Sequence, residues 1–393
     1  MHVIPARHPR RNARQRGVSL VELMVALAIG LFLVLGLVQI FSATRLAFAA
    51  NEGLARVQEN GRFALSFMRD DLRMAGHMGC LNELGYRGRL HNHLVSPTPT
   101  AGQWPYRFDF PVQVYEFTGT GPGATATLGT TRSTPAATSW TPNLPTGFTP
   151  ALVGTALNLS DVVVVRYLSA DFARINSVDY TAGAEKITVN ALDTAFLTPG
   201  GIYGVTDCKN LSVFQVNTGG SVKNAEGVNV RPWTAAENAY GQFNALHRYH
   251  FVAYFVANND ATGEPGLFRR VLTAAGALGA AEEVVPGVES LQVVLGVNAQ
   301  LRGRLEGDLP TNYVTGANVN AGNGITWATG STVEQRWASV VNFRVGMLIR
   351  GQQGAGMQTP TVSVADTLIA PPADGRLRQT YETQIAIRNR IRG

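Results

Sequence analysis

Arg16-Gly17-Val18-Ser19-Leu20-Val21-Glu22-Leu23-Met24-Val25-Ala26-Leu27-Ala28-Ile29-Gly30 is the stretch on which the fold turns. No charged residue follows Glu22 until Arg45, and residues 23–38 are unbroken apolar side chains and glycine. A helix that crosses a bilayer needs about 20 largely apolar residues. Residues 18–41 meet that requirement with one exception, the carboxylate of Glu22. A carboxylate inside a membrane span is costly and usually has a partner.

Ahead of this stretch the sequence is basic. Arg7, Arg10, Arg11, Arg14 and Arg16 stand among the first 17 residues with no acid, and they account for all but +1 of the formal net charge of +6. The sequence pI near 9.5 therefore describes the leader more than the body. An arginine-rich flank stays cytoplasmic by the positive-inside rule, which sends the remainder of the chain to the other side. A secretory signal carries its small-residue cleavage site after the apolar core. Here Ser42-Ala43-Thr44-Arg45 continues as helix, so the alternative cut lies before the core, after Gly17.

This junction resembles the type IV pilin and pseudopilin superfamily. In that family a prepilin peptidase cuts after a glycine, a glutamate occupies the fifth mature position, and the new first residue is N-methylated. Gly17, Glu22 and Val18 fall on those positions; valine replaces the phenylalanine that is commonest at the first. Removing 17 of 393 residues would leave 376, beginning at Val18. The helix-kinking proline usual in major pilins is replaced by Gln39, leaving Gly30 and Gly36 as soft points.

The helical period continues beyond the apolar run. Leu46, Ala50, Leu54, Val57, Ala64 or Leu65, Met68, Leu72 and Ala75 recur at steps of three or four. With no proline between residues 10 and 96, one helix over 18–76 is expected, about 88 Å long at 1.5 Å per residue. Gly53 and Gly61 should weaken it modestly. Its apolar stripe is expected to pack under a globular head.

After Gly76 the pattern changes. Residues 112–117, 161–168, 186–192, 211–216, 248–256, 267–272, 291–297, 340–349 and 381–387 are rich in Val, Tyr, Phe and Ile, bounded by Gly, Asn, Pro and Asp, and read as strands. The fold class is thus α+β, a long N-terminal membrane-spanning helix packed on a β-rich, mainly antiparallel head. The organisation is a basic leader (1–17), the transmembrane half of the helix (18–41), its periplasmic amphipathic half (42–76) and the head (77–393). Residues 118–150 hold 11 Thr, 5 Gly and 5 Pro with Arg132 as the single charge, and are expected to form an exposed insertion. A second polar stretch, 303–334, reads as a surface loop.

Within the superfamily the body resembles the PilW-like minor pilins. Gln58-Glu59-Asn60-Gly61-Arg62-Phe63-Ala64-Leu65, Asp70-Asp71-Leu72-Arg73-Met74-Ala75-Gly76, Gly79-Cys80, Gly287-Val288-Glu289-Ser290-Leu291-Gln292-Val293 and Val340-Val341-Asn342-Phe343-Arg344-Val345 are similar to that branch. So is the closing stretch 381–390. The resemblance implies a non-catalytic part in type IV pilus assembly, in an initiation or tip complex. It implies as partners other minor pilins, the major pilin, the prepilin peptidase, the inner-membrane assembly platform and inner-membrane lipid. It also implies that Glu22 pairs with the α-amine of the first mature residue, its own or a neighbour's. The other readings are a J-type minor pseudopilin of a type II secretion system, a membrane-tethered adhesin and a membrane-tethered enzyme.

The two cysteines, Cys80 and Cys208, both fall on the side predicted to be oxidising, and a pair allows one connectivity, so a disulfide is expected. No catalytic residue, metal or cofactor is expected. His91, His93, His247 and His250 have no Cys pair or carboxylate cluster at ligand spacing. Gly119-Thr120-Gly121-Pro122-Gly123 lacks the Lys-Ser/Thr of a phosphate-binding loop and reads as a turn. With three lysines and dispersed arginines, apart from Arg388, Arg390 and Arg392, no specific nucleic-acid contact is expected.

Overall fold

A computed structural model describes residues 17–81, 89–146, 152, 154–236, 239–242, 244–299, 310–351 and 360–390. Arg7, Arg10, Arg11, Arg14 and Arg16, residues 303–309 of the second polar stretch and Arg392 lie outside them. The chain divides into two units, Met1–Glu52 and Gly53–Gly393. One helix, α1 (Leu20–Met74), supplies residues to both. It runs through Gly30 and Gly36 without a break, within two residues of the expected ends.

In the first unit the helix buries almost nothing. Leu31 is 69% and Phe32 75% exposed, and the most apolar window has no buried residue. Apolar surface on this scale marks contact with lipid or with other protein. Leu46, expected on the packed stripe, belongs to this exposed set.

In the second unit α1 packs. Val57, Gly61, Ala64, Met68 and Leu72 are buried at steps of three and four, and Ala75 follows just past the helix end. Side chains at this spacing share one helical face. The predicted stripe is therefore right from Val57 onward.

In chain order the strands are β1 (Leu90–Asn92), β2 (Val112–Phe117), β3 (Thr125–Thr127), β4 (Trp140–Thr141), β5 (Val162–Asp179) and β6 (Lys186–Val189). There follow β7 (Gly201–Thr206), β8 (Leu211–Val216), β9 (Ala245–Asn258), β10 (Pro265–Val271), β11 (Glu282–Pro286) and β12 (Val288–Val297). The last are β13 (Asn312–Val314), β14 (Val340–Arg350), β15 (Val362–Val364), β16 (Thr367–Ala370) and β17 (Arg378–Ala386). Two short helices, α2 (Gly316–Ala321) within the second polar stretch and α3 (Val333–Ala338) at its end, are capped by the Thr315 and Thr332 hydroxyls.

The large sheet runs β1-β8-β7-β9-β5-β2-β4, with β10 on β9, β11 on β10 and β6 on β5. A second sheet runs β13-β12-β14-β17, and a third β15-β16-β3. All described pairs are antiparallel except β1 with β8 and β16 with β3. Ser160 and Asp161 join the first two sheets. Asp161 N–H donates to Leu291 C=O, the Asp161 carboxylate accepts the Phe117 and Val293 amides at 3.0 and 2.9 Å, and Ser160 Oγ accepts Leu291 N–H. Burial, then the nearby Glu116 carboxylate, holds the Asp161 carboxyl well above the usual carboxylate range.

One core cluster brings Val57, Met68 and Leu72 of α1 against Val163, Val165 and Tyr254 of the large sheet and Phe343, Val345 and Met347 of the second. The cluster on the other face of the large sheet includes Trp104, Phe108, Trp140 and Phe251. Within it the fully buried Arg166 donates to the carbonyls of Trp104, Pro105 and Phe110. These three acceptors stand in for a carboxylate partner.

Of the stretch read as an exposed insertion, residues 118–146 are described; about half of them are exposed, and a few residues anchor the stretch to the core. Trp140 is fully buried and its ring nitrogen donates to Ser160 C=O at 2.9 Å, while β3 pairs with β16 and buries Ala126. Much of the stretch's thin apolar content is spent on core contacts with segments distant in sequence. The glycine-rich turn at 119–123 is a turn as expected, with Gly119, Gly121 and Gly123 all at positive φ.

Candidate functional site

The N-terminal segment is built around Ser19. Gly17, Val18 and Ser19 precede regular helix, and α1 begins at Leu20. Ser19 Oγ accepts the Glu22 N–H at 3.1 Å, and Ser19 C=O accepts the Leu23 N–H at 3.1 Å. Ser19 is thus the N-cap, satisfying an amide that the first turn would otherwise leave open. Glu22 is the third helical residue, where the helix dipole favours a negative charge. The Ser-x-x-Glu spacing of a capping box is the sequence signal for this cap.

The Gly17 geometry bears on its identity. A Cβ built on Gly17 would meet nothing within 4 Å, and its φ lies outside the left-handed region. Among the described residues, nothing in the fold demands glycine at that position. Val18 is 69% exposed and the Glu22 side chain is exposed as well.

In the second unit a separate set of groups holds the helix to the head. Tyr167 of β5 and Tyr254 of β9 both donate their hydroxyls to Asp71, one to each carboxylate oxygen, at 2.5 Å. Burial and the Asp71 charge push both phenols well above the usual tyrosine range, so both remain donors. Asn60 donates to Pro286 C=O at 3.0 Å. Gly61 admits the Tyr381 ring so closely that a Cβ would stand 2.6 Å from its atoms. Gly61 is a contact point, and not the weak link its helix propensity suggests.

Cys80 and Cys208 are disulfide-bonded, with Cα atoms 5.0 Å apart. The bond ties the segment following α1 to the turn between β7 and β8. Gly79, at φ +67°, sits beneath it, where a side chain would strike His247 and Thr206.

The histidines are engaged elsewhere. His93 Nδ1 lies 3.1 Å from Pro232 C=O, and His247 Nδ1 lies 2.8 Å from Ser169 C=O. His250 stacks on Tyr167. Among the described residues no group of three or more His, Cys, Asp or Glu side chains is placed to hold a metal ion.

A cleft of about 560 Å³ opens between Arg56, Val57 and Asn60 of α1 and Glu264, Arg350 and Arg376 of the head. Its charged wall belongs to a ring of alternating signs. Arg376 meets Glu264, Glu264 meets Arg350, Arg350 meets Glu289, Glu289 meets Arg378, and Asp374 closes the circuit between Arg378 and Arg376. Three guanidinium groups balance three carboxylates, and the hydrogen bonds from Arg378 hold Asp374 down at about 2.

Two family models match the chain. Residues 12–38 match the prokaryotic N-terminal methylation motif, and residues 253–389 match Type IV Pilus-assembly protein W. These segments match a PilW-like type IV minor pilin. No curated protein and no solved structure matches the chain. The first match spans Gly17, Val18 and Glu22; the second spans β10 to β17 and the C-terminal end of β9, including all six ring members cited above and Tyr381. Motif and helix together fit a membrane anchor followed by a β-rich domain. Asp71, Tyr167 and the disulfide lie outside both matched segments.

Proposed function

We propose that this chain is a minor pilin acting in the initiation or tip complex of a type IV pilus. The observation that carries the reading is the methylation motif and the PilW-type segment on one chain, with the helix starting two residues after Val18. A prepilin peptidase cuts between Gly17 and Val18. The lack of any fold-imposed need for glycine at 17 supports a requirement set by the peptidase. The new α-amine at Val18 is then N-methylated.

Cleavage leaves that amine one residue before the Ser19 cap and four before Glu22. Glu22 neutralises it, on its own helix or on an adjoining subunit, and in the second case the pair sets the axial register as the subunit leaves the inner membrane. The head stands in the periplasm, where the disulfide is stable. Its partners are other minor pilins, the major pilin and the assembly platform, and its role is structural.

Deletion of the gene tests the reading against its nearest rival. Loss of surface pili with normal exoprotein secretion is the expected result. Normal piliation with lost secretion would move the chain to the J-type pseudopilins. Glu22→Ala should remain membrane-inserted and cleaved, because the span becomes more apolar and Gly17 is untouched, yet join the minor-pilin complex poorly. Wild-type piliation with this variant would remove the register role.

A further inference from the structure

The sheet β13-β12-β14-β17 ends on two unlike edges. β13 has three residues, whereas β17 runs nine residues against β14 without a register shift. Hydrogen bonds at its two ends fix which way its backbone groups point. Gly351 N–H donates to Leu377 C=O and Ile387 N–H donates to Val341 C=O, and both pairs continue the register of the ladder. Opposed residues in an antiparallel pair alternate between exchanging both hydrogen bonds and exchanging none. The odd-numbered residues of β17 therefore bond to β14.

Arg378, Thr380, Glu382, Gln384 and Ala386 accordingly direct N–H and C=O away from the sheet. Thr380, Glu382, Gln384 and Ala386 are exposed, and among the described residues no backbone partner reaches them from that side. Natural sheets blunt such edges with lysine, proline, bulges or shortness. Arg-Gln-Thr-Tyr-Glu-Thr-Gln-Ile-Ala is long and has no lysine, proline or bulge, and its two charges, Arg378 and Glu382, are both held in ion pairs within the chain. Its exposed carboxylate, Glu382, is bound to Arg344 at 3.1 Å and accepts the Ala365 N–H at 2.7 Å, which leaves the backbone edge clear.

We infer that the outer edge of β17 docks an extended segment of a different protein chain, which adds as a fifth strand. Only an extended backbone meets alternating donors and acceptors at this spacing. A second copy of this chain fits less well. Glu382 is the central residue of the nine, so full antiparallel overlap of two β17 edges would set Glu382 opposite Glu382, a repulsive pairing. The same register favours a partner with Lys or Arg at that place. This inference rests on the reading that the chain joins other pilins in a complex.

The test is residue-resolved amide exchange on the full-length protein in detergent, alone and co-purified with the other minor pilins. The amides of Thr380, Glu382 and Gln384 should slow at least tenfold in the complex, while those of Gln379, Tyr381 and Thr383 are protected in both. Gln384→Pro removes an outward N–H and should weaken the complex at least tenfold while keeping a cooperative unfolding transition. Thr383→Pro, at an inward N–H, should lose that transition. A complex whose outward amides exchange as in the free protein overturns the docking edge and leaves the pilus reading standing. Slowing in the protein alone that grows with its concentration assigns the edge to a second copy and also overturns it. Failure of any complex with other pilins defeats the functional reading and this inference with it.

Discussion

The ring of Tyr381 on the C-terminal strand occupies the space that a Cβ on Gly61 of the N-terminal helix would need. A residue that costs helix propensity thus allows strand and helix to touch. Gly61→Ala gains about 1 kcal/mol in propensity and forces an overpacked contact that typically costs 1–3 kcal/mol. Because Tyr381 is held by its hydrogen bond to Gln379 at 2.7 Å, the net effect should be destabilising. Denaturant titration of the full-length protein checks this. Adding Tyr381→Ala should make the Gly61→Ala substitution neutral or favourable.

Asp71 and its two tyrosines should behave as one unit. Tyr254→Phe and Tyr167→Phe each remove a hydrogen bond to a carboxylate, worth about 1.5–3 kcal/mol. The double variant should depart from the sum of the singles, because both donors serve one carboxylate. Additive losses in a double-mutant cycle would show that the two hydroxyls act separately.

Reducing or deleting the Cys80–Cys208 bond should lower stability by about 2–5 kcal/mol, within the range for a native disulfide. The expected change is a lower unfolding midpoint for Cys80→Ser with Cys208→Ser. Mass analysis of non-reduced peptides supplies the direct check, and two free thiols there would contradict the bond.

Acid should destabilise the head through His93. Burial first, and then Arg231, lower its pKa from 6.5 to about 4. A histidine with a depressed folded pKa contributes its stability above the unfolded value and loses it as pH falls towards the folded one. The loss should therefore develop between about pH 6.5 and 4, with an upper bound of about 3 kcal/mol. Midpoints measured across that window should fall less steeply for His93→Gln than for the parent protein. Equal slopes would remove His93 from the account.

The elements readable in the sequence were those whose pattern is local. Helix α1 declares itself by apolar period and lack of proline, and β2 and β8 were placed to the residue. β7 was missed because Gly201 and Gly204 disguise it; Gly204 is small because Leu168 packs directly against it. The short helices α2 and α3 carry Thr caps, and Thr332 with Gln335 even forms a capping box, yet six residues are too few to show a period. Trp140 reads as loop because its partners lie elsewhere in the chain. At the site, Gly17 and Glu22 stand out through the resemblance of their junction to that of the pilins. Asp71 did not, since its tyrosines are 96 and 183 residues away and only the fold brings them together.

The measurement that bears most directly on the account is the mass of the N-terminal peptide of the protein purified from its own membranes. The account predicts a mature chain that begins at Val18 with one added methyl group on its α-amine. An N-terminus that retained the leader, or one that lay beyond Phe41, would contradict it.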